Sequence, residues 1–137
     1  MIDIESEGKD VGPDTLEYIH RHKTAALIRA SLRVGALLGG GEARAVETIS
    51  EAGSDLGLAF QIIDDILDVE GSLAELGKTA GSDVRKGKAT YPAVHGLGAS
   101  RRQAKLLIER TKQRLSVFGE ASGPLCALAD YVFERKN

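Results

Sequence analysis

The sequence predicts an all-α chain of about five helices with one long Gly/Lys-rich loop. Three observations point there. Apolar residues recur at spacings of three and four over long stretches, the signature of helices with one buried face. No segment alternates apolar and polar residues as a half-buried strand does. Hydrophobic residues make up 42% of the chain and aromatics only 4%, with no Trp. A core of Leu, Ile, Val and Ala suits packed helices better than sheets, which favour aromatic and β-branched residues. The 137 residues amount to one domain, large enough to bury roughly two-thirds of the unfolded chain's surface.

The elements follow in order. Residues 1–13 are polar and include Gly8, Gly12 and Pro13, which read as a helix end and a loop. Asp14 offers an N-cap, with Glu17 at the capping-box position. Leu16, Ile19, Lys23, Leu27, Ala30, Val34 and Leu37 then carry a helix to about Leu38, where Gly39-Gly40-Gly41 stops it. A second helix spans about Glu42 to Val69, on a stripe of Val46, Ile49, Ala52, Leu56, Phe60, Ile63 and Leu67. Glu70 to Ala89 reads as a polar loop with glycines at 71, 77, 81 and 87. A loop this long in a compact domain points to function or disorder. Ala89 to Leu97 reads as a short helix with Pro92 in its first turn. Ser100, with Gln103 at the box position, caps a helix ending near Gly119. The last helix runs from about Pro124 to Arg135.

Charge and cysteine content bound the function classes. A net charge of -2 argues against partners captured by bulk electrostatics, nucleic acid and anionic membrane included. One cysteine, Cys126, excludes an internal disulfide, fits a reducing compartment and reads as a core residue. The acidic start, Met1-Ile2-Asp3-Ile4-Glu5, shows no signal-peptide pattern, and no apolar run is long enough for a transmembrane helix. The expectation is a cytoplasmic protein with no membrane insertion.

The chemistry concentrates in Phe60-Gln61-Ile62-Ile63-Asp64-Asp65-Ile66-Leu67-Asp68. Asp64 and Asp68 fall one turn apart on one helix face, Asp65 is adjacent, and Gln61 lies on the Asp64 side. Like charges at this spacing repel, and the apolar neighbours make the carboxylates costly unless they are paired or bind a metal. A hard divalent cation resolves that conflict, and Mg²⁺ characteristically takes one or two carboxylates plus water and substrate phosphates. The alternative is a solvated acidic face. An EF-hand is excluded, because Ile66 stands where its loop needs an oxygen ligand. The following loop interleaves Lys78, Arg85, Lys86 and Lys88 with Gly77, Gly81 and Gly87. Such a loop can bring backbone N–H groups and point charges to an anion, or can simply be solvated. No Walker pattern is present, so nothing points to ATP. Lys23 is unexpected in an apolar-periodic helix, and its stem can snorkel to water. His20 and His22 point in different directions and read as surface residues.

In this order, Lys23-Thr24, Phe60-Gln61-x-x-Asp64-Asp65-x-x-Asp68, Gly77-Lys78-x-x-Gly81-x-Asp83 and Lys88-x-Thr90-Tyr91-Pro92 resemble the trans-prenyl diphosphate synthases, most closely the bacterial farnesyl diphosphate synthase type. The segment from Glu5 to Leu27 and the ending Ala-Asp-Tyr131-x-x-x-Arg135-Lys136 also resemble that subgroup. The resemblance covers nearly the whole chain and marks residues 1–137 as a partial polyprenyl synthase domain, its C-terminal half. It implies the all-α isoprenoid synthase fold, usually as a homodimer. It also implies Mg²⁺-dependent condensation of an allylic diphosphate with isopentenyl diphosphate, three Mg²⁺ ions clamping the allylic diphosphate between two aspartate motifs.

Carried over residue by residue, the resemblance implies Asp64 as metal ligand, with Asp65 and Asp68 in support directly or through water. Lys23, Lys78 and Lys88 would contact the allylic diphosphate, Thr24 and Gln61 the allylic carbon, and Arg135 with Lys136 would close over isopentenyl diphosphate. Lys23, Thr24, Gln61 and Asp64 are thus the expected catalytic residues. The family's first aspartate motif, Asp-Asp-x-x-x-x-Asp in this subgroup, is not among these residues, so the chain alone is expected to be inactive, with apolar stripes exposed. Two other readings stand beside this one: a non-catalytic subunit of a full-length synthase, and another terpenoid enzyme using the same metal–diphosphate logic.

Overall fold

The computed structural model describes Thr15, Tyr18, His22 and residues 24–76 and 90–135, without the side chains of 72–76. Among the described residues from 24 onward, five α-helices follow in order: α1 (Thr24–Leu38), α2 (Ala43–Leu76), α3 (Tyr91–His95), α4 (Leu97–Leu115) and α5 (Gly123–Glu134). A 3-10 segment, Ser116–Ser122, joins α4 to α5. No strand occurs among the described residues, so the all-α expectation holds.

α2 is the axis of the molecule, 34 residues and so about 50 Å long at 1.5 Å per residue. α1 runs antiparallel along one flank: Ala25 lies against Gly57, Arg29 Nε donates to Ser50 Oγ over 3.0 Å, and Arg33 pairs with Glu47. α4 runs antiparallel along another flank, pairing Arg101 with Glu70, Arg110 with Asp55 and Arg114 with Glu51. The core is formed by Leu56, Leu58, Ala59, Ile62, Ile63 and Ile66 of α2, Tyr91 of α3, Ala104, Leu107 and Ile108 of α4, and Ala129 and Val132 of α5. The predicted α2 stripe is buried or partly buried, and a second apolar face, Leu58, Ala59, Ile62 and Ile66, is buried as well. A helix flanked on two sides needs both faces.

The turn after α1 forms where the glycines predicted it. Gly40 has φ +73°, a left-handed conformation that costs glycine little, and the N–H of Gly41 closes on Ala36 C=O. α1 itself packs through Ala25, Ile28, Leu32 and Ala36, all buried or partly buried. The stripe of Leu27, Ala30, Val34 and Leu37 is exposed instead, Leu27 to 67%.

Several boundaries differ from the sequence reading. α2 continues past Val69 to Leu76; Gly71 lowers helix propensity by only about 1 kcal/mol, and the Glu70–Arg101 pair ties this stretch to α4. Ser100 does not cap α4, which starts at Leu97 after Gly96, a residue at φ +81°. The Ser100 hydroxyl, fully buried, donates to Gly96 C=O over 2.7 Å. α4 ends at Leu115, before Gly119, whose backbone (φ 55°, ψ -136°) breaks the 3-10 segment. Thr90 caps α3, its Oγ1 accepting from the Ala93 N–H, with Pro92 in the first turn as predicted. Cys126, expected in the core, is only partly buried.

Gly57 sets the closest approach of α1 to α2. A Cβ there would lie 2.5 Å from Ala25 Cα and 2.8 Å from Ala25 Cβ. Because backbone is in the way, Gly57→Ala must push the helices apart, and overpacking of this kind costs about 1–3 kcal/mol. The expected outcome is a lower urea midpoint with an unchanged slope.

Among the described residues, Asp55 is the one buried carboxylate that pattern reading did not single out. Its side chain is 4% exposed and accepts from Arg110 Nε at 2.7 Å and Arg114 Nε at 2.9 Å, and Arg110 Nη2 also pairs with its other oxygen. The hydrogen bond that Arg110 donates to Asp55 raises the Arg110 pKa above its ordinary value.

Candidate functional site

The aspartate segment sits wholly within α2, since Ile62, Ile63, Ile66 and Leu67 hold this stretch against the core cluster. At about 100° per residue, Gln61, Asp64 and Asp68 fall on the side of α2 that faces α1 further back along the helix. Asp64 and Asp68 are exposed, whereas Gln61 is 9% exposed. The antiparallel register puts Thr24, next to Ala25 at Gly57, about one turn of α2 from Gln61. Thr24 is partly buried at the start of α1. The expected pair of Thr24 and Gln61 is therefore on one flank with Asp64.

Asp65 points elsewhere. It is 8% exposed, and its Oδ2 accepts the Tyr91 N–H over 2.7 Å at the start of α3. Sequence reasoning placed Asp65 in support of a metal. In the structure its carboxylate ties α3, the element that follows the basic segment, to the aspartate turn. Adjacent helical side chains leave the axis about 100° apart, and the Tyr91 N–H at the start of α3 engages the Asp65 carboxylate.

Arg135 reaches the site from the end of α5. Its Nη2 lies 2.9 Å from Asp64 Oδ1, and its guanidinium carbon sits 4.1 Å from the Phe60 ring centroid. Asp64 and Asp65 thus meet partners from within the chain, Arg135 at Asp64 and a backbone N–H at Asp65. Phe60 and Tyr91 stand in the quoted motifs, but neither Phe60 as a platform nor Tyr91 as a donor was assigned that role from the sequence.

Lys23, Lys78, Lys88 and Lys136 lie outside the described residues. Among the described residues, no three His, Cys, Asp or Glu side chains converge as a metal-holding group. His22 stacks on Tyr18, ring centroids 4.0 Å apart, in an exposed position as expected. A cavity of about 350 Å³ on the α1–α2 flank is lined by His22, Ala26, Arg29, Arg33 and Ser54, and by none of the aspartates. No helix among the described residues is long and apolar enough to cross a membrane.

Residues 1–120 match the family model described as Polyprenyl synthetase. The chain belongs to the polyprenyl synthetase family. Among curated relatives, farnesyl diphosphate synthase of Escherichia coli (strain K12) is 49% identical over 140 residues, covering 99% of this chain and 47% of that protein. Geranylgeranyl diphosphate synthase of Cyanophora paradoxa is 43% identical over 138 residues, covering 100% of this chain and 46% of that protein. Of solved structures, an FPP/GFPP synthase from Zymomonas mobilis superposes with TM-score 0.80 at 32% identity, over 96% of this chain and 42% of that one. A decaprenyl diphosphate synthase from Rhodobacter capsulatus superposes with TM-score 0.82 at 27% identity, over 99% and 55%. The helical arrangement is therefore that of the isoprenoid synthases, and the chain spans about half the length of the curated relatives it matches.

Proposed function

We propose that these residues form the C-terminal, metal–diphosphate-binding half of a trans-prenyl diphosphate synthase. The intact enzyme would condense an allylic diphosphate with isopentenyl diphosphate, giving farnesyl diphosphate. The observation that carries the reading is the placement of two exposed carboxylates, Asp64 and Asp68, one helical turn apart on one face beside Gln61. One or two carboxylates on a surface, with no all-protein cage, suit Mg²⁺ that shares its shell with water and phosphate. When bound, Mg²⁺ supplies charge that stabilises a departing diphosphate.

The chain's own residues would do the rest. Asp64 holds the cation, with Asp68 in support one turn on. Lys23, Lys78 and Lys88 contact phosphate oxygens as point charges. Thr24 and Gln61 present oxygen at the allylic end. Asp65 holds the start of α3 in place next to the aspartate turn, and the apolar body of α2 keeps water from the reacting carbon. A geranylgeranyl product is the second reading, favoured by the similarity to the Cyanophora paradoxa synthase. The cytoplasm is the proposed location.

The test is calorimetric titration of the chain with Mg²⁺ and a non-hydrolysable allylic diphosphate analogue. Binding that needs Mg²⁺ is expected; binding indifferent to Mg²⁺ removes the metal from the reading. Since the first aspartate motif is not among these residues, the chain alone should bind without turning over. A product assay showing prenyl transfer at rates typical of the family would overturn that part. The exposed Leu27, Val34 and Leu37 favour self-association, so light scattering is expected to report a dimer. A stable monomer at high concentration counts against it.

A further inference from the structure

The described chain ends by placing a cation on the carboxylate proposed for the metal. Arg135 Nη2 meets Asp64 Oδ1 at 2.9 Å and reaches Phe60 C=O at 3.4 Å. The Arg135 side chain is 21% exposed and that of Asp64 53%. The buried Nε of Arg135 finds no hydrogen-bond partner among the described residues. The contact is therefore one nitrogen on one oxygen, not the two-pronged fork that makes arginine–carboxylate pairs strong. The guanidinium also rests on the Phe60 ring, a contact that persists without the carboxylate. A pair like this, single-point and on a half-exposed acid, is easily exchanged.

We propose that Arg135 is the resident counter-ion of Asp64 and gives that carboxylate up to a divalent cation, so that metal capture is coupled to movement of Arg135 at the end of α5. This rests on Asp64 being the metal ligand. The physical reason is competition. A guanidinium and a dication about 3 Å from the same oxygen repel each other strongly at short range. Arg135 is then a positioning residue: it holds the Asp64 carboxylate in place before the cation arrives, and weakens the bare site for metal.

The probe is Mn²⁺ alone, with free ion counted by electron paramagnetic resonance. The full 137-residue chain is compared with Arg135→Gln, Arg135→Lys and Asp64→Asn. Arg135→Gln should bind Mn²⁺ about three- to tenfold more tightly, and Arg135→Lys should stay near the parent. Asp64→Asn should abolish binding. Unchanged or weaker binding in Arg135→Gln, with Asp64→Asn still null, overturns the coupling and leaves the metal ligand standing. Binding that survives Asp64→Asn, or none by the parent chain, removes the metal reading and the coupling with it. A second readout needs no variant: on saturating ¹⁵N-labelled parent chain with Mg²⁺, the Arg135 Nη resonances should shift as the Nη2 contact to Asp64 is lost. Resonances that stay put while Mg²⁺ binds also overturn the coupling.

Discussion

Asp64→Ala is expected to abolish Mg²⁺-dependent binding of an allylic diphosphate analogue and to leave the urea midpoint nearly unchanged. The adjacent Asp65→Ala should show the opposite balance. Groups that merely orient a metal ligand are worth about 10–100-fold in affinity, so loss of the ligand itself should cost at least about a hundredfold. Asp64 is half exposed and paired at one point only, so its removal disturbs little packing. Asp65 is buried and accepts the Tyr91 N–H. Removing that acceptor costs about 1–3 kcal/mol and loosens the start of α3. Calorimetry and urea denaturation of the two variants separate the roles. Intact stability together with lost metal binding in Asp65→Ala would make Asp65 a ligand after all.

Replacing Arg110 and Arg114 together by methionine is expected to destabilise the fold by about 3–5 kcal/mol, the usual cost of stranding a buried charge. Asp55 is the member of this network that water cannot reach, at 4% exposure, whereas Arg110 and Arg114 are 50% and 33% exposed. The asymmetry fixes which deletion hurts. Without the arginines, a buried carboxylate has lost both partners; without Asp55, the arginines can turn to solvent. Adding Asp55→Leu to the double variant should therefore recover most of the loss. A double-variant cost below about 1 kcal/mol would mean that Asp55 is solvated in solution, like an ordinary surface pair.

Much of the fold was legible because helices announce themselves locally. The glycines at 39–41 located the end of α1 and the start of α2, and the stripe from Val46 to Leu67 followed the buried side of α2. The errors were local conflicts too. Gly71 looked like a stop, yet one glycine is a small penalty for a helix anchored at Glu70 by Arg101. Ser100 looked like a cap, yet Gly96 supplied the backbone turn first. On α1, Leu27, Val34 and Leu37 show helical spacing as clearly as Ile28 and Leu32, and only packing against Gly53 and Gly57 chose between the two faces.

By itself the sequence determined the helical class, the aspartate turn and the family, because each is written within a few turns of chain. The tertiary structure alone decided which partner each carboxylate meets. Asp55 is paired across 55 residues to Arg110, Asp65 is tied across 26 to Tyr91, and Asp64 meets Arg135 across 71. Periodicity says which face of a helix a side chain shares, but a partner that far along the chain is set by how the helices pack, and that depends on every apolar face at once.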